Sequence, residues 1–325
     1  MGSEKVEADS DDLQSADAQV MARICWYYFK EGQTQEAISQ RLGLTRKRVN
    51  RILIEARGNG FVQITLNSPV GACVELETGL IRSYGLRRAI VVPTPGLETD
   101  VRTVVGAAAG QYVSENLKAG ASLGITWGGT INAAAQNVLR RQGRQNAVVL
   151  MCGGLAKSTR INPYDNAAIF ARALDATCYY ITAPMFAETA ELRDALVGSE
   201  PVRSVLQMAR HVDMALLSAI DLSEQSKALE YGVISPETRQ SLLDAGAVGD
   251  VCGHYLDFHG NPIVHPIVRR TIHPALGDLR HVPELILAAG GEHKVPIIMG
   301  AIRAKLCHVL ITDEAAASAL LSSNA

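Results

Sequence analysis

Two hydrophobic patterns divide the chain. Up to about residue 87, apolar residues recur every three or four positions, which is typical of helices with one buried face. From residue 88 onward, continuous apolar runs alternate with helical stretches, which predicts a parallel sheet covered by helices on both faces. The predicted strands are 89–93, 122–126, 147–151, 177–181, 212–219, 284–289 and 308–312. The predicted helices between them are 101–117, 131–140, 167–174, 203–209 and 296–305.

The N-terminal part contains two short predicted helices joined at Gly43. Thr34 and Thr45 are placed to cap their N-termini. The predicted inward positions of the first helix are Ala37, Ile38 and Leu42. Those of the second helix recur at i, i+3, i+4 and i+7 and are Val49, Ile52, Leu53 and Ala56. One face is therefore assigned to the core and the other is left exposed, as in a helix-turn-helix.

The exposed face of the second helix is basic. Arg46, Lys47 and Arg48 occupy its first turn, where the helix dipole disfavours cations. DNA phosphates and guanine edges would favour them there. We therefore predict DNA binding, against the alternative of an ordinary helix pair with a solvated charged face. The residues predicted to contact DNA are Gln35, Thr45, Arg46, Lys47, Asn50 and Arg51.

Segments on both sides complete this unit. A helix over about residues 16–30 is expected to pack on the pair through Val20, Ile24, Tyr27 and Tyr28. Residues 61–66 alternate like a strand and are expected to form a small wing. A helix over residues 72–84 should follow and is a candidate dimerisation element. These elements predict a winged helix-turn-helix connected to the sheet by one helix.

The charge pattern supports this division. The 325 residues carry a net charge of only −2, which excludes a generally basic nucleic-acid binder. Residues 1–17 hold six acids and one lysine, a net −5, and residues 30–60 hold seven bases and three acids, a net +4. Such segregation is expected of a small DNA-binding module on a neutral body.

Cysteine usage and hydropathy indicate the compartment. The six cysteines are scattered and form no CxxC pair, so buried thiols are expected. No apolar run reaches the roughly 18 residues that span a bilayer. We therefore expect a cytoplasmic protein without a membrane partner.

Two glycine-rich segments follow predicted strands. GITWGGT (124–130) leads into a helix, whose N-terminal N–H groups favour phosphate, although such a junction can also exist for packing alone. AGGEHK (289–294) would place a lysine in the first turn of the next helix, again favoured by an anion. Both should meet at the carboxyl edge of the sheet. The predicted effector-binding residues are Gly124, Thr126, Gly128, Gly129, Thr130 and Lys294.

Other chemistry is weakly indicated. The first glycine segment matches neither the dinucleotide fingerprint nor the P-loop, so no cofactor is predicted. Five histidines cluster between residues 254 and 281, but their spacing fits no common metal site, and surface or hydrogen-bonded roles are favoured. Asp257 has no identifiable partner for general base catalysis. We therefore predict no metal and no catalytic residues, with a metal sensor left as a lesser alternative.

Together these residues resemble the SorC family of bacterial sugar-binding transcription regulators over residues 16–321. In the N-terminal part the resemblance is carried by Gly32, Thr34, Gln35, Ile38, Leu42, Gly43, Val49, Arg51, Leu53, Ala56, Arg57 and Gly60. In the C-terminal part it is carried by Leu76-Glu77, Gly85-Leu86, GITWGGT, Gly153-Gly154, Ala183-Pro184, Asp213, Gly249-Asp250 through Gly260, GGEHK and LITDEAAASALL (310–321). Among subgroups, the chain is most similar to regulators of polyol catabolism, such as that of erythritol.

The resemblance implies a Rossmann-like effector domain similar to sugar-phosphate isomerases, acting in a dimer or tetramer. It implies that the glycine loop 124–130 and Lys294 hold the phosphate of a sugar or polyol. Two departures predict an altered or smaller ligand. Gly129 stands where the family commonly has arginine. Ser218-Ala219-Ile220 replaces a smaller Gly-Ile-Gly, which the family has after the strand at Asp213.

The predicted organisation has four parts. They are an acidic disordered tail (1–15), a winged helix-turn-helix domain (16–66), a linker helix (67–87) and a sugar or sugar-phosphate effector domain (88–325). The predicted function is a homo-oligomeric transcriptional regulator whose binding to double-stranded operator DNA is controlled by a carbohydrate metabolite. The alternative is an active sugar-phosphate isomerase or deaminase fused to a DNA-binding module.

Overall fold

The computed structural model describes residues 18–62, 70–96, 98–157, 159 and 161–323. The chain separates into two compact units, Met1–Leu66 and Asn67–Ala325. The predicted acidic tail and most of the predicted wing lie outside the described residues.

The described residues of the first unit form three helices. Helix α1 covers residues 18–29, α2 covers Gln35–Leu42 and α3 covers Arg46–Gly58. The Thr34 hydroxyl accepts the Ala37 N–H at 3.2 Å, and the Thr45 hydroxyl accepts the Arg48 N–H at 3.3 Å, so both predicted caps are confirmed. Gly43 ends α2 with φ of 64°, a conformation that glycine adopts without strain.

The core of the first unit follows the predicted stripes with one exception. Its buried members are Ile24, Cys25, Ile38, Val49, Ile52, Leu53 and Ala56. The prediction for Ala37 was wrong, because this side chain is exposed and the inward stripe of α2 passes through Ile38 and Ser39. Ser39 tolerates burial because its hydroxyl donates to the Glu36 carbonyl oxygen at 2.8 Å.

A parallel sheet forms the centre of the second unit. In chain order the strands are β1 (Arg88–Val92), β2 (Ser122–Ile125), β3 (Ala147–Leu150), β4 (Thr177–Tyr179), β5 (Met214–Asp221), β6 (Gly249–Val251), β7 (His254–Leu256), β8 (Glu284–Ala288) and β9 (Val309–Asp313). The spatial order of the parallel strands is β1-β9-β8-β5-β2-β3-β4. All seven predicted strands are present, with ends shifted by up to two residues, so the predicted α/β class is confirmed.

Helices cover the sheet. Their bounds are α4 (Val70–Tyr84), α5 (Val101–Asn116), α6 (Gly129–Gln136), α7 (Pro163–Leu174), α8 (Ala190–Gly198), α9 (Glu200–Ala209), α10 (Lys227–Glu230), α11 (Pro236–Asp244), α12 (Leu276–Leu279), α13 (Val295–Arg303) and α14 (Glu314–Ser322). Helix α6 packs between α5 and α7, while α14 contacts both α4 and α13. No described helix is long and apolar enough to cross a membrane.

An antiparallel hairpin was not predicted. Strand β5 runs two residues beyond the predicted end and pairs through Ala219, Ile220 and Asp221 with β6, which pairs with β7. Consequently Ser218-Ala219-Ile220 lies inside the strand rather than after it. The hairpin strands have only three residues each, too short for a periodic signal.

Candidate effector cavity and DNA-binding helix

Helix α3 presents a basic surface. Arg46, Lys47 and Arg51 are exposed, and no acidic residue stands in the first turn. Gln35, at the start of α2, donates from Nε2 to Oδ1 of Asn50 at 3.3 Å, which links the two helices on their exposed side. Thr45 is occupied as the N-cap of α3. Five predicted residues therefore carry free or partly free polar groups on one surface, and Thr45 orients the helix that bears most of them.

A cavity of about 380 Å³ lies in the second unit, where the adjacent strands β2, β5 and β8 end. Carboxyl ends of parallel strands are the usual place for ligands in such sheets. The cavity is lined by Asp100, Val101, Arg102, Trp127, Gly128, Gly129, Thr130, Ile161, Ser218, Ala219, Ile220, Asp221, Gln225, Lys227, Glu230, His293 and Lys294. The lining therefore combines segments that are distant in sequence.

One end of the cavity is suited to an anion. Helix α6 begins at Gly129, and its N-cap, Gly128, has φ of 123° and offers no side-chain cap. The first N–H groups of the helix have no intrahelical acceptors, and the helix dipole adds positive potential. Thr130, also in the first turn, is buried against the cavity. A negatively charged group would satisfy these donors.

Lys294 faces the same cavity from the turn before α13. It is only 6% exposed, and its ammonium has no hydrogen-bond or ion-pair partner among the described residues. Burial lowers its pKa, an effect that Asp221 partly offsets. A buried cation without a partner is costly, so a bound anion would stabilise it.

A second basic group stands at the cavity wall. The Arg102 guanidinium pairs with Asp100, Nε lying 2.8 and 2.9 Å from the two carboxylate oxygens. Asp100 also caps α5 by accepting the Arg102 N–H at 3.0 Å. The hydrogen bond from Arg102 holds the pKa of Asp100 below its usual value. Both side chains are therefore fixed at the start of α5.

Asp221 and His293 add groups suited to hydroxyl binding to the same cavity lining. Asp221 accepts the Ser223 N–H at 3.0 Å through Oδ2, while its Oδ1 makes no hydrogen bond to described residues and lies 3.9 Å from Nε2 of His293. Lys227 and Glu230 form an ion pair nearby. Carboxylate and imidazole groups of this kind bind alcohols well. The lining acids (Asp100, Asp221, Glu230) balance the lining bases (Arg102, Lys227, Lys294).

The structure brings four predicted effector residues together and separates two from them. Gly128, Gly129, Thr130 and Lys294 all line the cavity. The other two, Gly124 and Thr126, are packed beneath it and do not.

Close packing explains why these two residues differ. A Cβ on Gly124 would lie 2.4 Å from Sδ of Met151, so this glycine allows a strand contact. The Thr126 hydroxyl bonds within the sheet, donating to Leu216 O at 3.4 Å and accepting from Ser218 N–H at 3.3 Å. Neither residue therefore belongs to the cavity lining, and the sequence placed them too close to the ligand.

Several lining residues were missed from the sequence. Asp221 lies two residues beyond the predicted end of its strand, and Asp100 with Arg102 lies at the start of a predicted helix. A search for polar residues at every strand end and every helix start facing the same sheet edge would have found them. His293, within the AGGEHK segment, also lines the cavity.

Buried polar contacts hold the cavity walls. The Trp127 indole N–H donates to Oδ2 of Asp250 at 3.4 Å, and the Gly253 N–H donates to Oδ1 at 2.6 Å. Burial raises the pKa of Asp250 to about 7. On the other side, Asp313 accepts the Gly291 N–H at 2.7 Å. These contacts fix the loops that follow β2 and β8.

The clustered histidines have local partners. The rings of His254 and His273 meet edge to face with centroids 4.0 Å apart, and each has a nitrogen within 3.0 Å of the Pro274 carbonyl oxygen. His265 contacts the Ser241 hydroxyl at 3.0 Å. In the part of the chain that the structure describes, no group of three or more metal-binding side chains comes together.

Comparison with known proteins identifies the class. Residues 68–322 match the family model described as "Putative sugar-binding domain". The chain is 32% identical over 302 residues to a deoxyribonucleoside regulator of Bacillus subtilis, covering 91% of this chain and 95% of that protein. It is also 32% identical to the transcriptional regulator LsrR of Klebsiella pneumoniae, covering 95% of each. The erythritol catabolism regulatory protein EryD of Brucella abortus is 27% identical over 95% of this chain and 98% of EryD.

A solved structure shows the same fold. The full-length sorbitol operon regulator SorC of Klebsiella pneumoniae superposes with a TM-score of 0.72 at 24% identity, covering 94% of this chain and 99% of SorC. The chain belongs to the SorC family of sugar-binding transcriptional regulators. It is an effector-controlled DNA-binding transcriptional regulator with a sugar-binding domain, as predicted, and its relatives are regulators rather than enzymes.

Proposed function

We propose that the effector is a hydroxyl-rich sugar or polyol that carries one phosphate-like group. The observation that carries this proposal is the buried ammonium of Lys294, which has no hydrogen-bond or ion-pair partner among the described residues and faces the cavity at the start of α6. The anion would bind Gly128, Gly129, Thr130 and Lys294. Its hydroxyl groups would bind Asp221, which lines the same cavity.

Charge balance supports a singly phosphorylated ligand. The lining acids and bases are equal in number, so the cavity as a whole does not attract a polyanion. Positive potential is concentrated at the α6 end, where the helix dipole adds to Lys294. Among the relatives, two are named for a deoxyribonucleoside and for erythritol, which are both polyhydroxy compounds.

We propose that the DNA-binding surface consists of Gln35, Arg46, Lys47, Asn50 and Arg51, with Thr45 orienting α3. One helix-turn-helix unit contacts few base pairs, so a homodimer or tetramer on a palindromic operator in the cytoplasm is proposed. Helix α4 supports such an assembly, because it exposes two apolar side chains. Val74 and Ile81 are 46% and 37% exposed, and they lie seven residues, or about two helical turns, apart. Light scattering at concentrations that give specific binding should show more than one chain.

The ligand assignment is tested with Lys294→Met, which removes the charge but keeps most of the volume. Thermal unfolding would be measured with a panel of phosphorylated and unphosphorylated sugars and polyols, since a ligand at 100 times its Kd stabilises the native state by about 2.7 kcal/mol. The wild type should respond to a phosphorylated compound, and Lys294→Met should not. Lys118→Met is the control, because Lys118 is exposed outside the cavity. An equal response of Lys294→Met and the wild type would refute the assignment.

The regulatory step is tested on the same proteins. Operator DNA selected from genomic fragments would be titrated with and without the responding compound. The ligand should change wild-type affinity about 5- to 150-fold, corresponding to a coupling of about 1–3 kcal/mol. Lys294→Met should bind the operator normally but lose this response, because its substitution lies in the other unit.

A further inference from the structure

We propose that Arg102 is a further ligand of the effector's anionic group and that Asp100 holds its guanidinium in position. This inference rests on the proposed function and deepens it, because it names a specificity-determining residue outside both glycine-rich segments. It also narrows the ligand class to a phosphomonoester.

The hydrogen bonds of Arg102 leave one side of its guanidinium free. Nε and Nη2 are both bonded to the Asp100 carboxylate. Nη1 makes no hydrogen bond to described residues. Since Nη1 carries two N–H groups, the side chain retains donors for a ligand. Asp100 thus orients Arg102 without using all of its donors.

The free nitrogen lies at the start of α6. A Cβ built on Gly129 would stand 3.3 Å from Nη1 of Arg102 and 3.4 Å from its Cδ. Gly129 is the first residue of α6, beside the N–H groups that have no intrahelical acceptor. The absence of a side chain at Gly129 therefore gives Arg102 room beside the helix terminus.

The two cations act on the same region. Arg102 contributes to lowering the pKa of Lys294, after the larger effect of burial, as expected for two nearby positive charges. An anion between them would remove this repulsion and pair both. Asp100 supplies a compensating charge for Arg102.

Three elements then offer donors to one group. They are the N-terminus of α6, the Lys294 ammonium and the Arg102 guanidinium at the start of α5. A phosphomonoester has three terminal oxygens, one for each donor group, whereas a carboxylate has two. This match favours a phosphomonoester over a sugar acid.

The test uses inorganic phosphate as the probe and the full chain. Phosphate affinity would be measured by titration calorimetry for the wild type, Arg102→Gln, Arg102→Lys and Asp100→Asn. Arg102→Gln should weaken phosphate binding at least tenfold. Arg102→Lys should restore part of it, because charge returns without the planar geometry. Asp100→Asn should weaken it severalfold, since its oxygen can still cap α5 but no longer holds the guanidinium by charge.

Two controls separate the ligand role from a structural one. Arg140→Gln removes an exposed arginine outside the cavity and should bind phosphate like the wild type. Thermal unfolding without phosphate reports whether each variant folds.

The outcomes distinguish this inference from the proposed function. If Lys294→Met abolishes phosphate binding while Arg102→Gln binds like the wild type, the anion site stands and Arg102 is not part of it. If neither phosphate nor any phosphorylated sugar binds the wild type, the proposed function fails and this inference fails with it. A tenfold loss in Arg102→Gln, with partial recovery in Arg102→Lys, supports the inference.

Discussion

Gln35 and Asn50 are hydrogen bonded across the helix-turn-helix, with Nε2 of Gln35 3.3 Å from Oδ1 of Asn50. The bond joins the first residue of α2 to the exposed face of α3. It fixes the Asn50 amide, so that its Nδ2 group is left to donate to DNA. Gln35 thus orients Asn50 on the surface proposed to contact DNA.

The exposed cations of α3 should contribute to DNA binding in different ways. Lys47→Ala should weaken binding to all sequences and reduce the slope of log affinity against log salt by about 1. Arg51→Ala should cost about 1–3 kcal/mol on the operator if Arg51 contacts a base edge, with less loss on unrelated DNA. Fluorescence anisotropy over a range of salt concentrations measures both. Unchanged affinity in both variants would refute the assignment of this face.

Two adjacent residues of α3 should differ in their contribution to the free energy of unfolding. Leu53 is 2% exposed and Ile54 is 62% exposed. Leu53→Ala should lower the free energy of unfolding of this unit by about 2–5 kcal/mol, because it leaves a cavity in a small core. Ile54→Ala should change stability by less than about 0.5 kcal/mol. Urea unfolding followed by circular dichroism tests the pair, and similar losses in both would contradict the observed orientation of α3.

Periodicity and capping rules predicted what depends on local sequence. The stripe through Val49 and Leu53 has a period of 3.6, and Thr45 precedes it, so both the helix and its buried face follow from spacing. Ala37 was wrongly predicted to be buried because α2 has only eight residues. A pattern this short does not show which neighbour of Ile38, Ala37 or Ser39, shares its buried face. The seven strands were recognisable because strands buried on both faces are continuously apolar.

The cavity could be predicted only in part, because its lining comes from residues brought together by strand order. The segment at Gly128 and the residue Lys294 were found because glycine and a cation at a helix start are unusual locally. Nothing local distinguishes Asp221 from other acids, since its role depends on β5 lying between β2 and β8. Thr126 was overestimated for the same reason, since only the sheet reveals that its hydroxyl is already bonded.

A single hydroxyl-binding carboxylate should control which ligands are accepted. Asp221→Asn keeps the shape of the side chain but removes the charge opposite His293. It should weaken binding of the phosphorylated effector about 5- to 30-fold, while inorganic phosphate, which has no hydroxyl groups to place there, should bind at least as well as to the wild type. Titration calorimetry with both compounds checks this. Equal weakening for both would mean that Asp221 acts on binding of the anionic group rather than of the hydroxyl groups.

The buried Asp250 should make stability depend on pH. Burial raises its pKa to about 7 in the folded protein, whereas its ordinary value is 3.8. Between these values the unfolded chain has lost the proton and the folded chain retains it. The unfolded state therefore binds fewer protons, and stability should fall as pH rises through this range, by on the order of 4 kcal/mol. Above about pH 7 the group contributes no further change.

Asp250→Asn isolates this contribution. Asparagine keeps an oxygen for the Gly253 N–H but cannot ionise. Relative to the wild type, the variant should gain stability progressively from about pH 4 to pH 7. His273, whose pKa burial lowers to about 4, has the opposite effect, because stability is lost as pH falls below about 6.5. It is present in both proteins and so cancels in the difference. Urea unfolding at pH 4.5 and pH 8 measures the change, and parallel losses in both proteins would show that Asp250 does not hold its proton in the folded state.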